Sequence, residues 1–144
     1  MVACADTSFL LALYGNDGHS ANAIQWVQAS GAPVLISELA EFELANALRF
    51  AEFRKVLNPG SAVAYLAQFE SDKAAGLVIV HPCNLANVVA QAKRISATYT
   101  LAEGCRGFDI LHVAAAIEMG ASVFLTFDEK QRGLAGMEKL ATPV

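Results

Sequence analysis

Four acids in the sequence stand where folding alone would favour another residue: Asp6, Glu43, Asp109 and Asp128. Asp6 ends the apolar run VACAD, and Asp128 follows the run SVFLTF. Glu43 and Asp109 fall inside stretches of helical periodicity. Carboxylates gathered in one place repel one another, and some stay protonated unless a counter-charge is supplied. A hard divalent cation supplies it. Every candidate donor is an oxygen, with no Cys or His cluster on offer, so Mg2+ or Mn2+ is favoured over zinc.

The helical wheel separates these acids from ordinary ones. Each residue turns about 100° around a helix. In residues 38–55 that places Leu39, Phe42, Glu43, Asn46, Ala47, Phe50 and Phe53 on one side, with Glu38, Glu41, Arg49 and Glu52 on another. Glu43 is therefore expected to face the core with the phenylalanines, where an unpaired carboxylate is costly. In RGFDILHVAAA, Asp109 groups with His112, Val113, Ala116 and Ile117. Plainer readings stand beside these. Asp6 and Asp128 suit helix caps, Asp109 suits a first helical turn, and Glu43 suits a protonated or outward-reaching side chain. His112 suits a core histidine bonded to a backbone carbonyl or to Asp109.

The elements that would position these residues alternate between strand and helix. VACAD, VLIS, LVIVH and SVFLTF read as buried strands. Helices are expected over residues 8–14, 20–30, 38–55, 61–75, 85–99 and 129–135, and another from about residue 107 to Gly120. Residues 140–144 are expected to add an edge strand. Continuous apolar strands separated by helices predict βαβ crossovers and a parallel sheet with helices on both faces. Such a sheet binds ligands beyond the carboxyl ends of its strands, where Asp6 and Asp128 fall.

Composition bounds the rest. The 144 residues suit a single domain, 1–144, with no linker or repeat; 55% are hydrophobic and 17% charged, which excludes disorder. A net charge of −4 argues against a dedicated nucleic-acid binder, although acids that hold a cation do not repel phosphate once it is bound. Ten basic residues are scattered, and Arg49, Arg54, Lys55, Lys93, Arg94, Arg106, Lys130 and Arg132 are candidates for backbone contacts. Cys4, Cys83 and Cys105 match no metal or redox spacing and suggest reduced, mostly buried thiols and a cytoplasmic location. No signal peptide or membrane span is expected.

Four segments in order resemble the motifs of PIN-domain ribonucleases, and more narrowly VapC-like toxins of type II toxin–antitoxin pairs. ADTSFLLAL resembles the first, with Asp6 at a strand end. SELAEFELANAL resembles the second, with Glu43. RGFDILHVAAA resembles the third, with Asp109. FLTFDEKQRGLA resembles the fourth, with Thr126 and Asp128. The resemblance implies a PIN-like three-layer α/β sandwich whose central parallel sheet has four or five strands. It implies Mg2+ or Mn2+ held by Asp6, Glu43, Asp109 and Asp128. It also implies an endoribonuclease in which metal-activated water attacks in line and leaves 5′-phosphate and 3′-hydroxyl ends. Thr126 would support a metal-binding acid, as would Thr7, Ser8, Asn46 and His112. Expected partners are RNA, a VapB-like antitoxin whose C-terminal segment covers the active site, and a second copy in a homodimer. Neither His112 nor Arg106 is a general ligand of the family.

Two other classes compete. One is a non-catalytic PIN-like module that binds RNA or protein. The other is a response-regulator receiver or a haloacid-dehalogenase-like phosphatase. The receiver needs an acid pair after its first strand and the phosphatase a DxD, whereas ADTSF offers one Asp.

Overall fold

The computed structural model describes residues 1–144. Four parallel strands, β1 (Ala3–Ala5), β2 (Val34–Ser37), β3 (Val78–His81) and β4 (Val123–Leu125), form one sheet in the order β3-β2-β1-β4. The helices are α1 (Thr7–Gly15), α2 (Ser20–Ser30), α3 (Glu38–Phe53), α4 (Ser61–Ala74), α5 (Leu85–Ile95), α6 (Leu101–Glu103), α7 (Gly107–Glu118) and α8 (Glu129–Met137). The architecture is the expected α/β one.

Side-chain alternation along each strand builds the layers. Ala3, Ala5, Val123 and Leu125 point to one face and pack with Phe9 and Leu10 of α1, Leu44 and Leu48 of α3, and Phe69 of α4. Cys4 and Phe124 point to the other face, against Val88 and Ile95 of α5, Val113 to Ala116 of α7, and Leu134 of α8. Two cores on opposite faces of one sheet make three layers. Burying a Leu, Ile, Val or Phe side chain contributes about 1.5–3 kcal/mol, so these contacts fix both layers to the sheet.

Strand order decides where the site lies. From β1 the chain adds β2 and then β3 on one side, and later returns to place β4 on the other. The sheet therefore reverses between β1 and β4, and the gap beyond their carboxyl ends is where open α/β sheets bind ligands. Ala5 pairs with Leu125, which sets Asp6 and Thr126 side by side.

Four expectations are corrected. On α3 the core row is Ala40, Leu44 and Leu48, while Phe42, Phe50 and Phe53 are 62%, 54% and 79% exposed. Position on a wheel groups residues without saying which group meets the sheet, and the smaller side chains made the closer contact. Residues 140–144 form no strand; Ala141 makes a single parallel bridge to Val123. The helix expected over 85–99 runs on through a π-helical turn, Ser96–Thr100, into α6 and stops at Gly104, whose φ of 66° suits a residue without a Cβ. Of the thiols, only Cys4 is buried, and all three are free.

Candidate active site

Asp6 is wholly buried immediately beyond β1. Its Oδ1 accepts from the Phe9 amide at 3.0 Å and from Ser8 Oγ at 2.7 Å, and its Oδ2 accepts from Thr126 Oγ1. It is thus the N-cap of α1 and a partner of β4 at once. Burial pushes its carboxyl above the ordinary range, against the three hydrogen bonds.

Thr126, also wholly buried, completes the link between the strands. Its hydroxyl donates to Asp6 and accepts from the Asp128 amide at 3.0 Å. Asp128 in turn caps α8, accepting from the Gln131 amide at 2.9 Å through Oδ1. Ser8 Oγ accepts from the Phe127 amide at 2.9 Å. Asp6, Ser8, Thr126 and Asp128 therefore form one hydrogen-bonded rim across the switch point.

Glu43 and Asp109 reach the same rim from opposite layers. Glu43 is partly exposed, not core-facing as its wheel position suggested. Its Oε2 accepts from Thr7 Oγ1 at 2.7 Å and contacts His112 Nε2, leaving Oε1 free. The His112 bond holds the Glu43 carboxyl below its usual range. An ionised carboxylate only accepts, so the proton in that contact sits on His112 Nε2. His112 is buried, and its partners are Glu43 and Thr7, neither a backbone carbonyl nor Asp109. Two polar groups from α3 and α7 satisfied each other across the rim, a pairing that local spacing does not reveal.

Asp109 lies in the first turn of α7, beside a cleft of about 160 Å³ that it shares with Lys130 of α8. No protein group donates a hydrogen bond to its carboxylate. Burial raises its pKa, the negative charge of Asp128 adds to the rise, and Glu43 adds more, while His112 and Arg106 act the other way. Asn46 is exposed and outside this network. Arg94 is committed to Glu138 through two hydrogen bonds, 3.1 and 2.6 Å, away from the acids.

A divalent cation can be tested against this arrangement. The donors are hard carboxylate oxygens, several with unused lone pairs, and Asp109 carries a charge that no hydrogen bond neutralises. The set fits a hard cation in kind. No three acidic, His or Cys side chains stand close enough together to form a ready-made cage, so binding would require the free carboxylates to draw in.

The family model described as the PIN domain matches residues 3–137. Comparison with curated proteins gives no match. Among solved structures, the chain is similar to the sarcin-ricin loop cleaving toxin VapC20 of Mycobacterium tuberculosis, at 22% identity and TM-score 0.66, over 91% of this chain and 93% of that one. It is similar to FitAcB of Neisseria gonorrhoeae, at 16% identity and TM-score 0.66, over 98% and 96%. It is also similar to VapBC2 of Rickettsia felis bound to a promoter DNA fragment, at 16% identity and TM-score 0.66, over 99% and 97%. At these identities the likeness is one of fold.

Proposed function

The chain belongs to the PIN domain family, and from that premise we propose that it is a Mg2+- or Mn2+-dependent endoribonuclease, the toxin of a toxin–antitoxin pair. Asp109 carries the reading. It is half-buried, no protein group donates a hydrogen bond to it, and burial raises its carboxyl pKa, with the charges of Asp128 and Glu43 adding to the rise against those of His112 and Arg106. A structure has no use for that repulsion unless a cation joins it.

Asp6, Glu43, Asp109 and Asp128 would hold the cation, which when bound makes water a stronger nucleophile and neutralises charge on the scissile phosphate. The chain's own groups do the rest. Thr126 and Ser8 hold Asp6, and His112 and Thr7 hold Glu43 with Oε1 turned free. Lys130, sharing the cleft with Asp109, offers a positive charge to an RNA phosphate. The substrate is RNA, a reading supported by the likeness to VapC20, which is described as a sarcin-ricin loop cleaving toxin. The partners are a VapB-like antitoxin that covers the rim and a second copy of the chain. Phe42, Phe50 and Phe53, exposed along α3, support an interface. Residues 1–144 act as one unit. No helix is long and apolar enough to cross a membrane, and the three free thiols suit a cytoplasmic location.

The test is cleavage of single-stranded RNA by antitoxin-free protein with Mn2+ and with EDTA. The expected result is metal-dependent cutting that leaves 5′-phosphate and 3′-hydroxyl ends, abolished by Asp6→Asn or Asp109→Asn with the circular dichroism spectrum unchanged. Wild-type-like cleavage by either variant would refute the assignment. The second reading, a non-catalytic binding module, draws on the missing ready-made cage. RNA binding without Mn2+-stimulated cleavage would favour it.

A further inference from the structure

We propose that the hollow at the β4 edge of the sheet, between α2 and α8, is a subsite for one unpaired base of a single-stranded RNA lying across the acidic rim. The inference rests on the ribonuclease reading and adds the part of the substrate that the acids do not touch. The hollow measures about 600 Å³ and is lined by His19, Asn22, Gln25, Trp26, Phe127 and Arg132 among others. That volume lies within the range of about 300–1,000 Å³ typical of small-ligand sites.

Its floor is a stack that begins in the core. Phe9, wholly buried, lies parallel to Phe127 with centroids 5.8 Å apart and planes at 9°. Phe127 lies parallel to His19 at 4.5 Å and 11°. Phe9 is braced on its other flank by Trp26, edge-on at 6.2 Å. His19 is exposed, so one face of its ring rests on Phe127 and the other is open. Unpaired bases bind proteins by adding to such stacks, on aromatic and His rings alike.

The polar groups around the stack match the rest of a nucleotide. Arg132 donates to the Thr126 carbonyl at 3.3 Å, while its Nε is buried with no hydrogen-bond partner and stands 3.9 Å from Glu129. A guanidinium so incompletely satisfied suits a phosphate or base oxygen. The exposed amides of Asn22 and Gln25 make no side-chain hydrogen bonds within the protein, and each offers donor and acceptor together, as a base edge requires. No acidic side chain lines the hollow. The groove between α3 and α4, by contrast, is lined by Glu38, Glu41 and Glu70 as well as Arg49.

Chain connectivity ties the subsite to the rim. Phe127 sits between Thr126 and Asp128, and Arg132 holds the Thr126 carbonyl while the Thr126 hydroxyl holds Asp6. A base on His19 would therefore continue the stack on the ring of Phe127, whose chain neighbours Thr126 and Asp128 belong to the rim.

Trp26 is the only tryptophan of the chain and lines the hollow, so its fluorescence reports occupancy. The experiment titrates a single-stranded hexaribonucleotide into the protein in EDTA, where no cleavage intervenes. A saturable Trp26 signal is expected. His19→Ala should weaken binding about tenfold, within the range for losing one stacked base, and His19→Phe should retain affinity. Wild-type affinity in His19→Ala, or RNA binding by anisotropy with no change at Trp26, would overturn the subsite and leave the hollow to another occupant. The two readings fail separately. Absent cleavage with a saturating Trp26 signal sinks the nuclease alone. Metal-dependent cleavage with an unresponsive Trp26 sinks the subsite alone.

Discussion

Asp6 and Thr126 are neighbours across the two strands that flank the switch point, and the Thr126 hydroxyl donates to Asp6 Oδ2. The same hydroxyl accepts from the Asp128 amide, so one buried side chain links two of the four acids. Thr126→Val keeps the shape and removes both bonds together with the 3.2 Å contact to Ser8 Oγ. It should lower stability by about 1–3 kcal/mol, the cost of leaving buried polar groups unpaired, as read from urea unfolding. Thr126→Ser, which keeps the hydroxyl, should lose less than half as much.

His112 holds Glu43 Oε2 beside Thr7. His112→Leu should reduce cleavage or Mn2+ affinity by about 10–100-fold, the usual effect of removing a group that orients a metal ligand. His112→Gln places an amide N–H near the position of Nε2 and should recover most of that loss. Equal loss in both variants would mean that His112 acts through packing rather than through its bond to Glu43.

Asp109 makes stability depend on pH in the metal-free protein. Its folded pKa is raised, so the folded state binds the proton more tightly than the unfolded one. Ionising it costs stability as pH rises from its ordinary value through the raised one. Metal-free Asp109→Asn should therefore melt above wild type at pH 7, and the advantage should disappear below about pH 3.5, under the ordinary aspartate pKa of about 3.9. An unchanged melting temperature at pH 7 would show that Asp109 bears no electrostatic strain.

Glu43 should behave with the opposite sign. Its folded pKa is lowered, chiefly by the His112 bond, so its contribution is present above the unfolded value of about 4.3 and is lost as pH falls through the folded one. Glu43→Gln should be less stable than wild type near pH 6 and equal to it at strongly acid pH, as read by thermal melts across that window.

Much of this arrangement was legible in the residues. Strand-ending Asp6 and Asp128 point to one rim because parallel strands share a direction, and in the structure both cap the helices that follow them, as the plainer reading expects. Glu43 does not face the core as its wheel position implies. Its wheel neighbours Phe42, Phe50 and Phe53 face outward, and the residue is instead held by His112, 69 positions away. Such a pair has no local signature, because each partner belongs to a different layer. The hollow beside β4 was equally hidden. His19 lies in a turn and Phe127 between two polar residues, and only the fold stacks one ring on the other.

Mn2+ binding, read by loss of the free-ion electron paramagnetic resonance signal, tests most directly whether Asp6, Glu43, Asp109 and Asp128 together hold a hard cation. Wild type should remove Mn2+ saturably, and Asp109→Asn should bind at least about tenfold more weakly, consistent with loss of a charged ligand. Equal binding by the two proteins, or no binding by wild type, would contradict the account.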